Sequence, residues 1–256
     1  MRNRLTDELA VCGLNAVFAA AENKAEQINR LFLREDRLQL FTALCKDLAE
    51  RKRPYKFCED EELEKICKSK HHQGVVAMIL EPAPEPLSRE DLEEWAEEGR
   101  LGLVLHSVGN DHNLGAIVRA AAFFEAKYVV ISQGDSEARL TTSAYRIASG
   151  GMEHVTVRTV RDSAAFLKEA SRHLLSIGTD PRARQRIGDL GRIIESRKNA
   201  GRRPGIALVL GNEEEGLPPE VKEACSVMAR IPGTGLMESL NVAQTASIFM
   251  HRIFEM

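Results

Sequence analysis

From residue 101 onward, short strand-like apolar runs at 101–105, 128–132, 154–157, 174–178, 206–210 and 226–231 alternate with helical patterns at 114–124, 141–148, 162–171, 188–196 and 219–224. Buried strands separated by helices predict a parallel sheet covered on both faces. Before residue 81 the pattern is mixed. Residues 11–21 form a strand end or turn feeding a helix, and 29–33 and 55–58 are short strands. Leu40, Leu44 and Leu48 recur every fourth residue in a helix over 36–51, and 72–79 is a buried strand. A small α/β module is expected there. Residues 81–88 are proline-rich and extended, as suits a linker. Ser88 and Asp91 then fit a capping box for a short helix that turns Leu92, Trp95 and Ala96 inward. The expected organisation is a domain over 1–80, a linker and short helix over 81–100, and a second domain over 101–256.

Composition alters this picture in three places. The net charge of −3 belongs to the linker, because residues 81–100 hold two basic and eight acidic side chains. Between 182 and 203, eight basic residues face only Asp189 and Glu195. That excess is either a solvated surface or one that meets phosphates, with Arg182, Arg184 and Arg186 as candidate phosphate contacts. Five cysteines form no Cys-x-x-Cys pair, which favours reduced thiols and a cytoplasmic location over zinc. No stretch approaches the ~18 apolar residues of a membrane span, and the N-terminus lacks a secretory leader's apolar core.

Candidate chemistry gathers at turns that follow strands. No Gly-x-Gly-x-x-Gly follows the first strand of the second domain and no Gly-Lys-Ser/Thr is present, so the common dinucleotide and P-loop sites are excluded. Asn113 precedes a helix whose Leu114, Ile117, Ala121 and Phe124 share a face, which makes it a candidate N-cap. Arg119 lies off that stripe, free for a ligand or an ordinary ion pair. Gly211-Asn212-Glu213-Glu214-Glu215-Gly216 ends an apolar run; either its carboxylates hold magnesium or the Gly211 backbone approaches a ligand while one glutamate orients neighbouring loops. Ser239 and Asn241 open a last helix with Val242, Ala246, Phe249 and Ile253 inward, and Ser239 is its candidate cap. No histidine pair has metal-ligand spacing, and no Gly-x-Ser-x-Gly element suggests a serine nucleophile.

Three of these segments together resemble the SPOUT-class RNA methyltransferases, in particular the SpoU/TrmH ribose 2′-O-methyltransferases. They are Asn113-Leu-Gly-Ala-Ile-Val-Arg119, Leu208-Val-Leu-Gly-Asn-Glu-Glu-Glu-Gly216 and Ile231-Pro-Gly-Thr-Gly-Leu-Met-Glu-Ser-Leu-Asn-Val242. Ser149-Gly150-Gly151 looks like a small-residue turn of that family. Gly13-Leu-Asn-Ala-Val and His72-Gln-Gly-Val resemble its N-terminal substrate-binding domain. The resemblance implies a small RNA-binding α/β domain followed by a parallel-sheet α/β domain with a deep trefoil knot. It also implies a homodimer, S-adenosylmethionine as cofactor, and a structured rRNA or tRNA as partner, with rRNA favoured by the two-domain layout. By motif position Gly211, Ile231 and Leu240 contact the cofactor, while Asn113, Arg119, Glu213, Ser239 and Asn241 fall on catalytic-site positions; no metal is implied. Two departures bear on target choice and pocket shape. Asn110-Asp111 stands where many relatives have Asp-Pro, and Gly233 stands where they commonly have Met. The alternatives are a knotted paralogue that binds structured RNA without efficient catalysis, and a magnesium-dependent phosphoryl enzyme using Glu213–Glu215.

Overall fold

The computed structural model describes residues 2–3, 7–132, 140–198 and 201–256. The chain divides into two compact units, Met1–Ala83 with Arg139–Glu153, and Pro84–Ala138 with His154–Met256. In the first unit the strands are β1 (Arg2–Asn3), β2 (Glu8–Cys12), β3 (Ile28–Leu33), β4 (Tyr55–Phe57) and β5 (Val75–Leu80), in the order β1-β2-β5-β3-β4. Pairing is antiparallel except between β3 and β4. Helices α1 (Leu14–Asn23), α2 (Thr42–Glu50) and α3 (Asp60–Cys67) complete it. Gly13, at φ +99°, makes the turn from β2 into α1, where the first helical amide, that of Leu14, donates to Gln73 Oε1 at 2.8 Å.

Three expectations for this unit are corrected. The helix predicted over 36–51 is a 3₁₀ segment, Glu35–Phe41, followed by α2. Winding at three residues per turn moves the inward position from Leu40, which is exposed, to Phe41, which is buried. The strand predicted from residue 72 begins at Val75, because Gln73 and Gly74 both have positive φ and the Gly74 amide donates to His72 Nδ1. Helix α3 was not anticipated, although its acidic first turn and the i, i+4 pair Leu63 and Cys67 are helix signals.

The second unit opens with α4 (Arg89–Glu97), and the expected capping box is present: the Asp91 amide donates to Ser88 Oγ and the Ser88 amide to Asp91 Oδ2, both at 3.0 Å. Its strands are β6 (Leu101–Leu105), β7 (Tyr128–Ser132), β8 (Thr156–Val160), β9 (Leu174–Thr179), β10 (Gln185–Arg186), β11 (Gly205–Leu210) and β12 (Val227–Arg230). They form one parallel sheet in the order β10-β12-β9-β11-β6-β7-β8. The predicted parallel α/β sheet is therefore observed. The strand predicted at 154–157 instead begins at Thr156, and the two-residue edge strand β10 had no apolar signature. The remaining helices are α5 (Asp111–Phe123), α6 (Thr142–Ala148, within the first unit), α7 (Ser163–Ala170), α8 (Leu190–Ser196), α9 (Pro219–Ala224) and α10 (Val242–Phe254). The helix predicted over 188–196 starts as a 3₁₀ turn, Ile187–Asp189, before α8.

One face of this sheet packs on α4, α7 and α9 around Trp95, Phe166 and Val221. Leu103, Leu105, Leu208 and Leu210, the alternate residues of β6 and β11, point the other way and are equally buried. Helices α5 and α10 pack on each other, and α10 on β11. Strand order runs outward from β6 through β7 to β8, then resumes at β9 on the other side of β11. Such a reversal opens a crevice beyond the carboxyl ends of the strands, where open α/β sheets bind ligands.

Candidate active site

Two loops at that crevice are tied together by Asn212. Past the strand ends, the His106 amide still donates to the Leu210 carbonyl at 2.9 Å. Asn212 Nδ2 donates to the carbonyl of Ser107 at 3.0 Å, while its Oδ1 accepts the amides of Glu214 (2.8 Å) and Glu215 (3.1 Å). The Gly216 amide returns to the Asn212 carbonyl at 3.0 Å, closing a tight turn. A Cβ on Gly211 would lie 2.3 Å from the Gly216 carbonyl carbon. The glycine at 211 is thus required by the turn's own backbone, a reason different from the ligand approach anticipated for it.

The three glutamates of this turn are exposed. Among the described residues no group of three or more His, Cys, Asp or Glu side chains could hold a metal ion. Glu213 alone meets the neighbouring α5, where its Oε1 accepts a short hydrogen bond from Asn113 Nδ2.

Asn113 is not the helix cap. That place belongs to Asn110, whose side chain accepts the His112 amide at 2.8 Å, so α5 starts earlier and carries Asn113 inward in its first turn, buried. Nor is Ser239 the cap of α10, because Asn241 Oδ1 accepts the Ala243 amide at 2.9 Å. That bond fixes the polarity of a hydrogen-bonded chain. A backbone N–H can only donate, so Asn241 presents Oδ1 to Ala243 and has Nδ2 free for Asn113 Oδ1, at 3.0 Å. Asn113 must then offer Nδ2 to Glu213, whose Oε1 accepts it. Asn241, Asn113 and Glu213 thereby lock together three segments far apart in sequence.

Beside this cluster lies a cavity of about 640 Å³, lined by Gly211, Glu213, Ile231, Ser239 and Leu240 together with the 179–181 loop and the start of α10. Ser239 is exposed at its rim. Leu236 and Met237, also lining it, are 87% and 80% exposed. Large apolar side chains left bare around a concave site are characteristic of ligand binding. Arg119 is exposed on α5, roughly 9 Å along the axis from Asn113 at 1.5 Å per residue, and makes no hydrogen bond or ion pair with a described residue. Its guanidinium is thus available to a ligand and does not touch the asparagine cluster. Arg182 and Arg184 are exposed on the turn that leads into β10 and Arg186 is exposed on β10 itself, just after Asp180 and Pro181 of the cavity wall. Sequence reasoning missed Asn212 and Arg230; the former carried a signal, since an Asn after a strand-ending glycine is a common turn former.

Residues 100–251 match the SpoU rRNA methylase family, and residues 10–85 match the RNA 2′-O ribose methyltransferase substrate-binding domain. The 23S rRNA (guanosine-2′-O-)-methyltransferase RlmB of Ralstonia nicotianae is 33% identical over 241 residues, which is 92% of this chain and 91% of that one. Its counterpart from Nitrosomonas europaea is 33% identical over 198 residues, 77% of this chain and 72% of the relative. Among solved structures, an rRNA methyltransferase from Sinorhizobium meliloti superposes with a TM-score of 0.75 at 21% identity, covering 97% of this chain and 87% of that one. The SpoU methyltransferase AviRb from Streptomyces viridochromogenes, solved with AdoMet, gives 0.73 at 20% identity, with 97% and 90% covered. The fold is that of an RNA methyltransferase. The chain belongs to the SpoU rRNA methylase family.

Proposed function

We propose that this protein transfers the methyl group of S-adenosylmethionine to the 2′-hydroxyl of a guanosine in 23S rRNA. The observation that carries the reading is the Asn241–Asn113–Glu213 chain set against a cavity at the strand-order reversal. The cavity fits the cofactor: its volume lies within the roughly 300–1,000 Å³ of small-molecule sites, and it combines apolar walls with backbone-rich turns. Gly211, Ile231 and Leu240 would hold the cofactor, and bound there it supplies an electrophilic methyl group.

The chain's own residues account for the rest of the reaction. Methyl transfer is an in-line displacement, so holding the hydroxyl in position supplies much of the acceleration. Arg119 stays charged and is no free base; it stabilises the developing oxyanion or clamps an adjacent phosphate. Glu213 and Asn241 fix the orientation of Asn113, and Ser239 sits at the cavity rim. The guanosine and 23S specificity rest on the relatives' activities. The first unit and the Arg182, Arg184 and Arg186 stripe are the surfaces assigned to RNA.

The same proposal includes a homodimer, a trefoil knot and a cytoplasmic location. The dimer is supported by an exposed aromatic group on the two site helices: Phe123 (77% exposed) and Phe254 flank Phe124, whose ring centroid lies 5.0 and 5.9 Å from theirs. The knot is supported by β11, which lies between β6 and β9 although it follows both in the chain. For the location, no helix among the described residues is long and apolar enough to cross a membrane.

The substrate is tested by incubating the protein and methyl-labelled S-adenosylmethionine with unmodified 23S rRNA, 16S rRNA and tRNA. Label should enter 23S rRNA alone. Label in tRNA alone would refute the substrate, and cofactor binding without transfer to any of the three would favour a catalytically inactive RNA-binding paralogue.

A further inference from the structure

Arg230 ends β12, lines the cavity and has no hydrogen-bond or ion-pair partner among the described residues. Its Nε is shut off from solvent without a hydrogen bond, and no described acid forms an ion pair with its guanidinium. Of the three acids lining the same cavity, Glu238 is exposed and forms no ion pair with Arg230, and the other two are committed elsewhere. Asp180 is bonded to Lys222 Nζ at 2.6 Å and to the Arg182 amide at 2.7 Å, and Glu213 is bonded to Asn113. The in-register neighbour of Arg230 across the β10–β12 ladder is Arg186. Adjacent residues of parallel strands share a face, so two like charges stand side by side, and of the two only Arg186 has an acid beside it, Asp189, which accepts its backbone amide at 2.9 Å. A desolvated donor, a like-charge neighbour and a cavity at the same place all point to an anionic ligand group.

We propose that Arg230 is the specificity residue that receives the carboxylate of the cofactor's amino-acid tail. The inference rests on the S-adenosylmethionine reading. The cofactor's adenine and ribose are neutral and its sulfonium and ammonium are positive, so the carboxylate is the one part the guanidinium attracts. A bidentate pair there fixes which end of the cofactor lies at β12 and keeps the sulfonium away from the arginine. The same contact explains how this site distinguishes the intact cofactor from nucleosides that lack the tail.

Calorimetry with two probes tests this. S-adenosylhomocysteine carries the tail, whereas 5′-methylthioadenosine keeps the adenosine and thioether but lacks the amino acid. Arg230→Gln should weaken S-adenosylhomocysteine by on the order of ten- to a hundredfold, the range of a charge-assisted hydrogen bond, and 5′-methylthioadenosine by no more than about twofold. Arg230→Lys should restore part of the loss. A ligand-side version needs no variant: giving S-adenosylhomocysteine a neutral carboxamide tail should weaken it against the unmodified protein by a similar factor. Equal loss for both nucleosides, or an unchanged affinity for the carboxamide, would overturn the proposal. So would a defect of Arg230→Gln confined to RNA affinity, because the anion would then be a backbone phosphate. Failure of the unmodified protein to bind either nucleoside would instead refute the cofactor reading.

Discussion

Arg119→Ala is expected to lower single-turnover methyl transfer by about 10²–10³-fold, the range seen when one donor to a developing oxyanion is removed. Affinity for S-adenosylmethionine should stay within about twofold, since Arg119 is not among the residues that line the cavity. The separation of the two effects follows from the structure. Arg119 is exposed and unpaired, so its loss breaks no packing and leaves no buried partner stranded. Alanine is also a good helix former, and the melting temperature should be unchanged. Near-normal turnover in this variant would remove Arg119 from the chemistry.

The second large effect is expected at Asn113, where a near-isosteric change reverses the polarity of one bond. Asn113→Asp keeps an acceptor for Asn241 but replaces the donor facing Glu213 with a second carboxylate. At pH 8 both groups would be ionised, one buried in the first turn of α5 and the other exposed on the 211–216 turn, and the variant should lose about 1 kcal/mol of stability with most of its methyl transfer. The penalty should have a definite pH dependence. Two facing carboxylates raise each other's folded-state pKa, so the pair binds a proton more readily when folded, and the deficit is fully present at high pH and shrinks as pH falls. Urea unfolding at pH 8 and pH 5.5 should therefore show the gap to the unmodified protein narrowing at the lower pH. Equal stability at pH 8 would mean that Asn113 does not donate to Glu213.

How much of this was legible in the sequence differs between the sheet and the site. Strands such as β6, β7 and β11 are buried on both faces, so their apolar runs announce them, and Pro219 marks the start of α9. The helix starts at the site were less readable. Asn110-Asp111-His112-Asn113 offers several residues able to cap α5, and what decides among them is the pull of Asn241 and Glu213 on Asn113. Those partners come from distant strand ends that no periodicity connects. Gly211 was visible as a turn glycine, but the reason for it, the backbone of Gly216, exists only once the loop is closed. The unpaired state of Arg119 and Arg230 is likewise a property of their surroundings. Motif order singles out these residues, and the structure shows which are joined and which have no partner among the described residues.

The central claim, that this site methylates a ribose oxygen, is tested most directly by the chemical form of the product. After reaction with 23S rRNA, complete digestion to nucleosides and mass spectrometry should yield 2′-O-methylguanosine as the new labelled species, formed about 10²–10³-fold more slowly when Arg119→Ala replaces the unmodified protein. A label carried on the base, or no methylated nucleoside despite bound cofactor, would contradict the account.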